Sequence, residues 1–187
     1  MAFCKLKSLL LLLICFFIVS CAGPITNIPD NVTDNAVIVQ NPGNNYFGKV
    51  QNGEQAPDFS LSDINGNMIT LSALRGKKVV INLWWIRCHG CTEEMPLLQE
   101  FYEKYSGHDM ELIAVNEYEK EAVVKSYAEG KNYNFIVISD SDKQLHKGYT
   151  NWGVPTTFFI DEEGIIKARK DAAFTSVKEI EEFYYSY

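Results

Sequence analysis

Apolar residues follow two rhythms along this chain, and both become regular only beyond residue 50. Residues 79–85, Val-Val-Ile-Asn-Leu-Trp-Trp, form a nearly unbroken apolar run, the pattern of a strand covered on both faces. Shorter runs at 110–115 and 135–139 predict two further strands. Runs at 156–161 and 165–168 predict two more around a tight Glu162-Glu163-Gly164 turn. Upstream, Phe59-Ser60-Leu61 and Met68-Ile69-Thr70-Leu71 flank the polar segment Asp63-Ile64-Asn65-Gly66-Asn67, which predicts a hairpin. Elsewhere the period lengthens. Met95, Leu98, Phe101, Tyr102 and Tyr105 recur at helical spacing, predicting a helix over 93–105 with Gly107 as its stop. Helices are also expected at 120–129, closed by Gly130, at 144–149, and at 176–185, where Phe183 and the tyrosines form the apolar face. Strands alternating with helices, then a terminal hairpin and helix, indicate an α/β or α+β layer fold.

The first 50 residues have neither rhythm. Lys5 and Lys7 precede an apolar core from Leu9 to Val19, about eleven residues, against the ~20 needed to span a bilayer as a helix. Ile18-Val19-Ser20-Cys21 resembles the lipobox of bacterial lipoproteins, in which the cysteine takes a diacylglyceryl group and becomes the first mature residue. The expected organisation is a signal peptide at 1–20, a tether at 21–50 and a folded domain at 51–187. The resemblance implies lipid attachment at Cys21 and a place on the extracytoplasmic face of a bacterial membrane. An ordinary secretory signal or an uncleaved anchor would also put the domain outside the cytoplasm. The tether holds Pro24, Pro29, Pro42 and six asparagines, with 36–39 as its one strand-like segment. As a coil it would reach roughly 30 Å.

Composition narrows the function. The chain has 187 residues, 47% apolar and 22% charged, ordinary for one globular domain. Its 17 basic and 24 acidic residues give net −7, and losing residues 1–20 would remove Lys5 and Lys7 as well. That balance argues against nucleic acid as a partner, which calls for basic patches. Of the five cysteines, Cys4 and Cys15 would leave with the signal and Cys21 would carry lipid. An exported domain would retain only Cys88 and Cys91, a local pair rather than a disulfide framework.

Cys88 falls where the strand at 79–85 ends and a helix begins. Free backbone amides and the helix dipole at that end favour negative charge, and the thiolate is the reactive form of cysteine. A separation of two residues on the first helical turn can bring both sulfurs into disulfide geometry, the second turning back beneath the helix. Cys88 is therefore the candidate nucleophile and Cys91 the resolving thiol.

Four segments together carry a family resemblance. They are Gln55-Ala56-Pro57-Asp58-Phe59-Ser60-Leu61, the strand Gly76 to Trp84, Cys88-His89-Gly90-Cys91, and the stretch Gly153-Val154-Pro155-Thr156 through Gly164. In order and spacing they resemble the thioredoxin superfamily, and more narrowly the membrane-anchored TlpA/ResA-like thiol-disulfide oxidoreductases. The resemblance spans roughly residue 51 to the C-terminus. It implies a thioredoxin-like α/β fold, a central mixed β-sheet flanked by helices, with an N-terminal β-hairpin extension. It also implies a cis peptide before Pro155, which would face the cysteines and help dock an extended substrate segment. Asn82 stands where thioredoxin has a buried acid. Glu94 matches the family's glutamate three residues after the second cysteine, in position to take the Cys91 proton. A solvated first-turn glutamate is the simpler alternative for Glu94, and Glu93 is expected to be solvated. The implied function is reduction of partner protein disulfides, apocytochrome c among them. A membrane electron donor would recharge the pair, and no cofactor is involved.

Three positions depart from the family pattern. Arg87 replaces a tryptophan, Gly90 a common proline, and His89 is unusual at its site. Near the sulfur, Arg87 and protonated His89 would make the pair more oxidising; pointing to water, they would change little. Trp84 is expected to wall the site and Trp85 to pack.

Other chemistries fit the same residues less well. A zinc clip needs a second ligand pair, and neither His108 nor His146 supplies one. Covalent haem requires histidine where Thr92 stands. The peroxiredoxin motif has Pro and Thr where Ile86-Arg87 is found. Sco-like copper proteins separate their cysteines by three residues, leaving His146, expected at the surface, as the possible third ligand. A thioredoxin-fold binding module with a merely structural cysteine pair is the remaining alternative.

Overall fold

The central element of the fold is β3, Lys78–Trp84, whose residues from Val79 on are all buried. It belongs to a computed structural model that describes residues 50–149 and 153–187. The expected signal segment, Cys21, the strand-like 36–39 and the tether up to residue 49 lie outside the described residues. Val50 is already buried.

On one side β3 pairs in parallel with β4, Met110–Asn116, which pairs in parallel with β5, Ile136–Ser139. On the other it runs antiparallel to β6, Thr156–Ile160, which pairs with antiparallel β7, Ile166–Lys170. The order is β5-β4-β3-β6-β7, the expected mixed sheet. A separate hairpin, β1 (Ser60–Ser62) and β2 (Met68–Thr70), precedes it. Its turn is held by Asp63, whose carboxylate accepts from the Asn65 and Asn67 amides at 2.8 Å, while Gly66 takes φ 84°.

Side chains on β3 and β4 alternate between two cores. Val80, Trp84, Leu112 and Ala114 face α1 (His89–Tyr105), α2 (Glu121–Lys131) and α4 (Val177–Tyr184), with Met95, Leu98, Phe101, Val124 and Ile180. Val79, Ile81, Leu83, Ile113 and Val115 face the hairpin's Leu61 and α3 (Gln144–Tyr149), with Leu145 and Tyr149. This two-sided cover is why the run at 79–85 shows no alternation of polarity. Among the described residues, no helix is long and apolar enough to cross a membrane.

The first helix begins at His89 with Cys88 as its N-cap, as the cysteine pair implied, although its apolar period shows only from Met95. One helix end differs from expectation. Gly130 lies inside α2, and the left-handed cap is Asn132, at φ 56° and ψ 39°. Asparagine reaches that conformation at modest cost, and its N–H bonds the Ala128 and Glu129 carbonyls. The last helix conforms, with Ser176 capping it through the Glu179 N–H at 3.2 Å.

Phe159 ties β6 to the C-terminal segment, stacked on Phe183 at 5.6 Å and edge-on to Phe174 at 6.1 Å. Phe159→Ala should destabilise the oxidised protein by about 3–5 kcal/mol, read as a lower urea midpoint with unchanged slope. A loss below about 1 kcal/mol would contradict this packing.

Candidate active site

The C-terminal end of β3 delivers the chain directly into α1, and Cys88 is that helix's N-cap. Its backbone is extended (φ −85°, ψ 112°), and its Sγ accepts the Cys91 N–H at 3.2 Å. The two cysteines form a disulfide with their Cα atoms 5.2 Å apart, inside the usual span. Cys88 is half-buried whereas Cys91 is fully buried, so one sulfur is open to a partner and the other is covered.

The loop before β6 lies against Cys88. Register places Leu83 opposite Thr156, so the preceding residues meet the end of β3. The Val154–Pro155 peptide is cis, and the Val154 carbonyl oxygen is 3.7 Å from Cys88 Sγ.

Glu94, three residues after Cys91 on the same helix face, is fully buried. Its Oε1 accepts from Asn82 Nδ2 at 2.8 Å, and its Oε2 from the Phe174 N–H at 2.9 Å. Asn82 Nδ2 also donates to Thr157 Oγ1 at 2.9 Å, across the β3–β6 pairing. Burial pushes the Glu94 carboxyl up to about 7, against the opposing pull of the Phe174 and Asn82 bonds and of Lys170. This is not a solvated first-turn glutamate. Glu93 is the exposed one, and it pairs with His89 at 3.0 Å.

The three residues that depart from the family pattern each meet a neighbour other than a sulfur. Arg87 lies over the Trp85 ring, 5.1 Å from its centroid, and His89 is held by Glu93. An added Cβ on Gly90 would come within 3.3 Å of the Ala173 Cβ, so the small residue suits a close helix–loop approach. Trp84 is core, tilted against Tyr127 in the cluster that holds Cys91. Trp85 stacks on exposed Tyr118 at 4.6 Å.

His146 is not the surface residue expected. Its Nδ1 bonds Glu117 Oε1 at 2.8 Å, and Glu117 is fully buried just beyond β4. Burial, with Asp140 nearby, raises Glu117 to about 8, and burial lowers His146. This pair was hidden in the sequence because its members lie 29 residues apart. A glutamate directly after an apolar strand was its only signal. Among the described residues, no group of three or more His, Cys, Asp or Glu is placed to hold a metal.

Folding raises the Glu94 pKa, so the native protein holds that proton more tightly than the unfolded chain. The resulting stability is complete below about pH 4.5 and is lost as pH rises through about 7. Between about pH 5 and 8, wild type should lose up to about 3 kcal/mol relative to Glu94→Gln in urea unfolding. A constant difference between the two would overturn this titration.

Comparison with known proteins agrees with the geometry. The AhpC/TSA family profile matches residues 52–169. Thiol-disulfide oxidoreductase ResA of Bacillus subtilis (strain 168) is 36% identical over 121 residues, 64% of this chain and 68% of that protein. The crystal structure of StoA from Bacillus subtilis superposes with TM-score 0.60 at 25% identity, covering 68% of this chain and 96% of that one. The thioredoxin domain of a thiol-disulfide oxidoreductase from Bacteroides vulgatus superposes with TM-score 0.64 at 24% identity. It covers 73% of this chain and 99% of that one and bears on the fold alone.

Proposed function

The chain belongs to the AhpC/TSA family and is a ResA-like thiol-disulfide oxidoreductase, and we propose that it reduces partner disulfides through Cys88, with Cys91 resolving and Glu94 taking the proton. The observation that carries this reading is the arrangement of the three groups. A half-buried sulfur caps a helix, and a buried sulfur and a buried carboxylate follow it on that helix.

In the reduced protein the Cys88 thiolate attacks one sulfur of the partner's disulfide. The partner's S–S bond breaks, a mixed disulfide forms, and the other partner sulfur leaves as thiolate. Cys91 then passes its proton to Glu94 and attacks Cys88 Sγ. The mixed disulfide breaks, the partner's second thiolate departs, and both partner sulfurs take protons from solvent. Two electrons have moved, leaving Cys88–Cys91 oxidised and the partner as a dithiol. Pro155 and the Val154 carbonyl flank Cys88 where an extended partner segment would dock. Proteins with a reducible disulfide, apocytochrome c among them, are the proposed substrates. A membrane dithiol carrier is the proposed electron source.

The proposed site of action is the extracytoplasmic face of a bacterial membrane. Support comes from the N-terminal pattern, with its Lys5/Lys7 charge, apolar core and Ile18-Val19-Ser20-Cys21, and from the two cysteines that processing would leave without lipid. Residues 1–20 are the proposed signal, 21–50 the tether and 51–187 the catalytic domain.

Insulin reduction should be abolished by both Cys88→Ser and Cys91→Ala, while Cys91→Ala should accumulate a mixed disulfide that Cys88→Ser cannot form. Full turnover in either variant overturns the two-thiol mechanism. Expressed in a bacterium, Cys21→Ser should move the protein from the membrane fraction to the soluble fraction. Retention of the variant on membranes would sink the lipid anchor.

A further inference from the structure

One buried atom at the site is left without a partner. Asn82 donates both carboxamide hydrogens, to Glu94 Oε1 at 2.8 Å and to Thr157 Oγ1 at 2.9 Å, yet its Oδ1 has no hydrogen bond. A buried carbonyl oxygen with no donor is costly and rare. In this orientation the carboxamide serves a charged Glu94 and that state alone.

The opposite carboxylate oxygen is committed, since Oε2 accepts the Phe174 N–H at 2.9 Å. A main-chain N–H cannot become an acceptor, so a Glu94 proton that hydrogen-bonds to one of these partners sits on Oε1, the oxygen facing Asn82. Oε1–H would then point at an N–H, donor against donor. A half-turn of the carboxamide about its last torsion exchanges the oxygen and nitrogen positions and removes the conflict. Oδ1 then faces Oε1–H and Thr157 Oγ1 across the same 2.8 and 2.9 Å spacings. The threonine hydroxyl donates as readily as it accepts, so it follows the turn. Two hydrogen bonds to Glu94 and Thr157 exist in either orientation, and the turned one places the amide N–H groups where Oδ1 had no partner.

We propose that Asn82 is a positioning residue for Glu94, an amide that turns over as the buried carboxyl gains or loses its proton, so that Glu94 Oε1 and Thr157 Oγ1 meet a matching group in either state. The inference rests on the reading of Glu94 as the proton acceptor. The other charged groups that reach Glu94 are Lys170 of β7 and Glu179 of α4, and they are paired with each other at 2.6 Å. They do not contact the carboxylate oxygens, which leaves the amide as the side-chain partner that must answer a change of charge. With burial holding Glu94 up to about 7, both states are populated near neutral pH. An aspartate at position 82 would suit only one of them, because its ionised form accepts from protonated Glu94 and donates nothing.

The test uses the oxidised full-length chain, in which neither active-site sulfur titrates. NMR follows the Glu94 carboxyl carbon and the Asn82 side-chain amide through about pH 7, with Glu94→Gln and Asn82→Asp as assignment controls. The Asn82 amide signals should move with the Glu94 midpoint, and Asn82→Asp should raise that midpoint by about one unit. The acid limb of the pH–rate profile for insulin reduction should shift in the same direction. Asn82 signals that stay constant while Glu94 titrates, or a Glu94 midpoint unmoved in Asn82→Asp, would overturn the proposal. If that variant fails to fold, the wild-type co-titration decides alone. A Glu94→Gln enzyme with wild-type rate and pH profile would instead remove the proton-acceptor reading, and the NMR result would be unaffected.

Discussion

The pairing of β3 with β6 is the constraint on which the site depends. It sets Asn82 opposite Thr157 and Leu83 opposite Thr156, joining residues about 75 positions apart in the chain. From that register the rest follows. One strand ends in the helix that carries the sulfurs, the other begins after the loop that lies against Cys88, and the two meet at the same end of these adjacent inner strands. A slip of one residue would turn Asn82 toward the other core and carry Pro155 away from Cys88. The buried apolar faces prevent it, since Val80 and Phe159 belong to one core and Ile81 and Phe158 to the other.

Within that frame, Glu94 is governed by opposing effects of which burial is the largest. Desolvation raises its proton affinity, and two hydrogen bonds with a distant lysine lower it. Closer approach of Lys170 would lock the carboxylate in its charged form, as usual for a buried ion pair. Instead Lys170 is held by Glu179 at 2.6 Å, and Glu94 keeps neutral partners. The outcome is a carboxyl balanced near neutrality, which is where proton transfer at physiological pH is most effective.

Much of this was legible in the sequence, for identifiable reasons. The strand at 79–85, the hairpin and the short helix at 144–149 are local patterns, and local patterns show directly. Cys88 and Cys91 were legible because helix-start chemistry acts over three residues. The cis peptide at Pro155 and the place of Glu94 came from family resemblance, as neither spacing nor polarity distinguishes Glu94 from exposed Glu93. What stayed hidden depends on contacts between distant segments. Asn132 rather than Gly130 ends α2 because the chain turns back to Ala128 there. Phe174 reaches Glu94 across 80 residues, and His146 reaches Glu117 across 29. Polar residues inside a core carry no periodic signature, since each is tolerated by partners that only the fold supplies.

The unequal burial of the two sulfurs explains why a buried carboxyl belongs here. Cys88 is partly exposed, so a proton on it can exchange with water, and the helix N-terminus favours its thiolate. Cys91 has no such access. If it is to attack Cys88 and break a mixed disulfide, its proton has to leave inside the protein, because a thiol is a poor nucleophile and a buried thiolate is costly. An acceptor that is always charged would hold the proton weakly, and one that is always protonated could not take it. A carboxyl near neutrality meets both needs, provided its surroundings tolerate either charge. Around Glu94 stand a main-chain N–H and the Asn82 amide, with the Thr157 hydroxyl beyond it, and under the proposed turn the last two reverse their roles.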